Sequence, residues 1–66
     1  MHPSVEHLLS FFTYEHLPAH LQKVSRPFSK LANHLVALGL DGPELTAGLR
    51  KLLEAKDCAV RAALDR

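Results

Sequence analysis

Lys56 is the side chain whose placement asks most for a chemical explanation. On a helical wheel at about 100° per residue, Leu45, Leu49, Leu52, Leu53, Val60 and Ala63 form one apolar face, and Lys56 falls in its middle. An ammonium buried without a partner costs several kcal/mol, so Lys56 must snorkel, pair with a carboxylate or meet an anion. One flank of the same segment carries Arg50, Glu54, Asp57 and Arg61, with i, i+4 spacing for Arg50–Glu54 and Asp57–Arg61. Such pairs are worth a few tenths of a kcal/mol on an exposed face. Arginine is also the better phosphate ligand, through its planar fork of donors. The other flank holds Gly48, Ala55 and Ala62 seven residues apart, a strip of small residues that lets another backbone come close.

The remaining chemistry-bearing residues point away from catalysis. Five histidines are present, and His16 and His20 stand four apart, but Pro18 lies between them and no acidic cluster accompanies them. Solvated or interface histidines account for them better than a metal site does. Cys58 follows Asp57, whose charge raises a thiol pKa, so it is a poor nucleophile. No glycine-rich phosphate loop and no carboxylate pair for acid–base work is visible. The chain does not read as an enzyme, and no cofactor is implied. Tyr14, the only tyrosine, lies in a connection between helices, where its ring either packs or stands clear to stack on a base. Lys30 lies next to Leu31, off the apolar stripe, and taken alone is a surface charge.

Three elements must position these groups. Val5, Leu8, Leu9 and Phe12 recur at i, i+3, i+4 and i+7, predicting a short amphipathic helix with Ser4 as N-cap. Thr13–His16 connects it to a second helix that starts near Pro18. Leu21, Val24, Phe28, Leu31, Leu35 and Leu38 step by threes and fours, a heptad seam. Pro27 interrupts it and predicts a kink near Val24 in one helix rather than two helices. Gly39 suits the positive-φ position after a helix end. Asp41 or Gly42 then caps a third helix, with Pro43 in its first turn and Glu44 complementing the dipole, running to about Leu64. The short turn implies an antiparallel hairpin of two long helices. The expected fold is all-α, a single domain over residues 1–66.

Length sharpens this picture. A chain of 66 residues is near the lower limit for a self-sufficient core. One cysteine excludes an internal disulfide framework, so self-association is the favoured support. The chain is 47% hydrophobic with net charge +1, which argues against disorder and against broad duplex nucleic-acid binding. No apolar run approaches the ~20 residues of a membrane span, and Met1-His2-Pro3-Ser4 does not begin a secretory signal. Cytoplasmic residence is the expectation.

Two blocks carry a family resemblance. The first is Phe12-Thr13-Tyr14-Glu15-His16-Leu17-Pro18-Ala19-His20-Leu21-Gln22 with Val24-Ser25-Arg26-Pro27-Phe28; the second runs from Gly48-Leu49-Arg50-Lys51-Leu52-Leu53-Glu54-Ala55-Lys56 through Asp57-Cys58-Ala59-Val60-Arg61-Ala62-Ala63. Together they resemble small phage proteins of the anti-CBASS sponge family, related to the helical part of the anti-Thoeris sponges, over nearly the whole chain. The resemblance implies a non-enzymatic homohexamer in the cytoplasm of an infected bacterium. Such a protein sequesters cyclic nucleotide immune messengers intact. Cyclic dinucleotides would lie between paired protomers and cyclic trinucleotides on the threefold axis; the anti-Thoeris relatives bind cyclic ADP-ribose isomers. On this resemblance Tyr14 and Lys30 match the dinucleotide pocket, and Arg61, with Ala55 and Lys56, the trinucleotide pocket. Arg50 and Asp57 belong to the same block as supporting or interface residues. Where the family carries a threonine soon after the lysine, Ala32 and Asn33 stand here. The competing reading is a helical-hairpin oligomer that serves as a structural or protein-interaction module without a small-molecule ligand. A small DNA-binding regulator fits least, because the basic residues are interleaved with acids.

Overall fold

A computed structural model describes residues 2–65. Three helices, α1 (Pro3–Ser10), α2 (Ala19–Ala37) and α3 (Pro43–Leu64), make up the fold, with no strand among the described residues. The α2–α3 contact is the most extensive, and α1 packs more on α3 than on α2.

The first helix begins two residues earlier than a Ser4 cap predicts. Pro3 occupies its first turn and His2 is the cap: His2 Nδ1 accepts from the Ser4 N–H at 3.1 Å and lies 2.7 Å from Ser4 Oγ. Proline has no N–H to satisfy and a preset φ, so it fits the first helical position and moves the cap onto the preceding residue. The His2 carbonyl accepts from Val5 and Glu6, which completes the turn. Beyond Ser10 the chain leaves the helix, yet Phe12 is fully buried and anchors the connection.

α2 is one uninterrupted helix across Pro27. Its buried face differs from the heptad seam. Leu21 is buried, but Leu31 and Leu38 are 46% and 60% exposed, and the other buried positions are Ser25, Ser29 and Ala32. The physical reason lies in the partners. Val5, Leu8 and Phe12 from the N-terminal segment and Leu45 and Leu49 from α3 supply the bulk of the core. From α2 the small Ala32 joins them, and Phe28, Leu35 and Val36 pack against the cluster from the side. Val24, Phe28 and Leu35 are left half-buried at its edge.

The connection Leu38–Gly42 turns on two glycines at positive φ, Gly39 at 84° and Gly42 at 89°. Gly39 donates its N–H to the Val36 carbonyl at 3.0 Å, closing the end of α2. Gly42, rather than Asp41, takes the cap position of α3, and no side chain caps it. The buried residues of α3, Leu45 and Leu49, both lie near its start. A 22-residue helix spans about 33 Å, close to the 37 Å length of the whole body. α1, at 8 residues, covers about 12 Å of it. The second half of α3 therefore has no fully buried side chain, and Leu64 is exposed at its end.

Candidate functional site

The candidate ligand residues occupy separate places on the protomer. Tyr14 lies half-buried in the α1–α2 connection. Its carbonyl accepts from the Leu17 N–H at 3.0 Å, and its N–H donates to Glu15 Oε2 at 3.2 Å. Gln22 ties this turn to the start of α2, donating from Nε2 to the Leu17 carbonyl at 2.8 Å and the Glu15 carbonyl at 3.2 Å. Lys30 is exposed on α2, eight residues past Gln22 and so about 12 Å farther along the axis.

The α3 cations are engaged locally. Lys56 is 14% exposed, and its Nζ lies 3.0 Å from Asp57 Oδ1, the one ion pair among the described residues. Its stem packs while its head reaches the edge to find a carboxylate. Asp57 is thus taken by its neighbour, and the Asp57–Arg61 and Arg50–Glu54 pairs that the i, i+4 spacing predicts are not formed. Arg61 Nη2 instead donates to Cys58 Sγ at 3.4 Å, one helical turn back. The i, i+3 spacing of Cys58 and Arg61 was the available signal for that contact. Arg61, Ala55 and Cys58 are all exposed.

Two clefts open on the surface. One, of about 680 Å³, lies between the starts of α1 and α3 and the Leu38–Gly42 turn, with Arg50 on its wall. The other, of about 590 Å³, runs between α2 and α3; Leu31, Leu35, Leu40, Leu52, Gly48 and Ala55 line it. Neither is lined by Tyr14, Lys30, Lys56 or Arg61. The second cleft joins the exposed leucines of α2 to the small strip of α3. A Cβ added at Gly48 would meet nothing within 4 Å among the described residues, and Ala55 and Ala62 are exposed. Among the described residues, no three His, Cys, Asp or Glu side chains come together to hold a metal, and no helix is long and apolar enough to cross a membrane.

Comparison with known protein families, with curated proteins and with solved structures finds no match.

Proposed function

We propose that this chain is a non-enzymatic sponge for cyclic nucleotide immune messengers, built as a homohexamer and acting against CBASS-type immunity in the cytoplasm of an infected bacterium. The observation that carries this reading is the apolar face left uncovered on α2 and α3. Leu31 and Leu40 stand exposed on one cleft with Gly48 and Ala55, and Leu38 and Ala62 are exposed on the same two hairpin segments. A hairpin of α2 against α3, antiparallel and bent near Pro27, would present that face to further copies.

Assembly is also what the ligand chemistry requires. A cyclic dinucleotide is a rigid ring with two phosphates and two base faces. A two-fold contact duplicates every donor, so two copies of Tyr14 and Lys30 would match it. Tyr14 would stack on a base, worth about 1–3 kcal/mol per base, and Lys30 would meet a phosphate. Three copies of Arg61 about a threefold axis, with Ala55 giving room and Lys56 nearby, would suit a cyclic trinucleotide. A rigid ligand loses little entropy on binding, so few contacts suffice.

Native mass spectrometry with a mixture of cyclic di- and trinucleotides and cyclic ADP-ribose isomers tests the reading. Six copies with whole ligands bound in place is the expected outcome. Tyr14→Ala is expected to abolish dinucleotide binding at unchanged oligomer size; unaltered affinity would exclude the site. A second reading, an oligomeric interaction module with no small-molecule ligand, is favoured by the internal engagement of Lys56 with Asp57 and Arg61 with Cys58. A flat calorimetric titration across the same ligands would establish it.

A further inference from the structure

The cleft of about 680 Å³ at the start of α3 has a composition unlike the leucine-lined one. Its floor is Val5, Val36 and Leu45, and two of these, Val5 and Leu45, belong to the buried core. The cleft therefore reaches from solvent to the interior. Arg50 stands on its wall one turn past Thr46 and Ala47, which line the same side of α3. Arg50 has no carboxylate within ion-pair distance among the described residues. The lining also contains one imidazole, His2, and one carboxylate, Asp41, which sits in the turn. His2 Nδ1 is already occupied in capping α1.

The rim is held by backbone rather than by side chains. Gly39 and Gly42 both take positive φ, and a Cβ at either would meet nothing within 4 Å. No side chain fills the mouth at these two positions. α3 begins there with no side-chain cap and with Glu44 in its first turn, so the cation of the cleft is Arg50, two turns along the helix and away from Asp41 at the mouth. The volume lies within the ~300–1,000 Å³ of small-molecule sites, which pair apolar walls with a few placed polar groups.

The geometry points to a binding site for a small amphiphilic anion, with an apolar body against Val5, Val36 and Leu45 and an acidic head at Arg50. Tyr14, Lys30 and Arg61 take no part in it; Arg50 is shared with the block that the resemblance makes supporting or interface residues, and octanoate binding by the lone chain reads this site without any cyclic nucleotide.

Titration of the full chain with octanoate, followed by NMR, tests it, with 1-octanol and inorganic phosphate as separate arms. Saturable shifts are expected at Thr46 and Ala47, with octanol and phosphate each about tenfold weaker. A hydrogen-bonded charge is worth that factor or more. Arg50→Gln, at an exposed position, is expected to weaken octanoate about tenfold. Asp41→Asn should leave the affinity equal or tighter, since it removes a like charge. Octanol binding as well as octanoate, an Arg50→Gln variant of unchanged affinity, or a weaker Asp41→Asn variant would overturn the assignment. So would shifts confined to Leu31 and Leu52 in the other cleft. Failure to saturate, the outcome when a second copy covers the cleft, would overturn it as well.

Discussion

Replacing Ser25 by alanine is expected to stabilise the protein. Ser25 is 1% exposed, and its hydroxyl has no hydrogen-bond partner among the described residues. A buried hydroxyl without a partner costs about 1–3 kcal/mol. Alanine is also the better helix former by about half a kcal/mol. Against this, deleting the oxygen leaves a void smaller than a methylene group, whose burial is worth about 0.8 kcal/mol. The balance is a gain of about 1 kcal/mol. Urea unfolding at fixed protein concentration measures it: with a slope of about 1 kcal/mol/M for so small a chain, the midpoint rises by about 1 M at unchanged slope. Ser29 provides the comparison, because Asn33 Nδ2 approaches its Oγ at 3.5 Å and it is less completely buried. Ser29→Ala is expected to change little. A lowered midpoint in Ser25→Ala would refute the reasoning, since it would mean that the hydroxyl is bonded, most simply to the Leu21 carbonyl one turn back.

Two further substitutions probe the uncovered face. Leu31→Glu combined with Leu38→Glu is expected to reduce the particle size in sedimentation while circular dichroism keeps its helical signal, because both side chains are about half exposed in the protomer; an unchanged size would remove this face from the interface. Gly48→Ala is expected to raise the stability of the isolated protomer by up to about 1 kcal/mol through helix propensity, with open space for the methyl, yet to weaken association. Equal or tighter association would show that the small strip is not a contact.

Much of the fold was legible from breakers and periodicity. Pro18 and Pro43 mark the starts of α2 and α3, and Gly39 and Gly42 the turn between them, because each answers a local backbone requirement that needs no knowledge of the partner. The face of α2 was not legible in the same way. Leucine spacing identifies an apolar stripe but not which neighbour covers it, and here bulky residues from two other segments draw the small side of α2 inward. The His2 cap was hidden for a related reason: serine is the commoner cap, and only the position of Pro3 decides between them. Lys56 takes two of the outlets that its place on the apolar face allows, a packed stem and a carboxylate, whereas Arg61 departs from its i, i+4 pattern because Asp57 is held by Lys56.

The inward turn of the small residues has a consequence for how such a chain could hold a ligand. Ser25, Ser29 and Ala32 are buried in α2, while Leu31 and Leu38 and the Gly48–Ala55–Ala62 strip of α3 stay on the outside. The exposed cations Lys30 and Arg61 lie on these same two helices, while the clefts of the lone protomer are lined by neither. Covering the outer face with further copies would bury the leucines, and a second contact, through the opposite flank of α3, would bring the Arg61 side chains of different chains near one another. Like charges held close are unfavourable, and an anion between them relieves that cost. In such an assembly a polyanionic ligand stabilises the oligomer in proportion to its binding, by RT ln(1 + [L]/Kd). At a ligand concentration a hundredfold above Kd this amounts to about 2.7 kcal/mol. Assembly and sequestration would then be one equilibrium, in which a protomer too short to enclose a cyclic nucleotide supplies part of a site and its neighbours supply the rest.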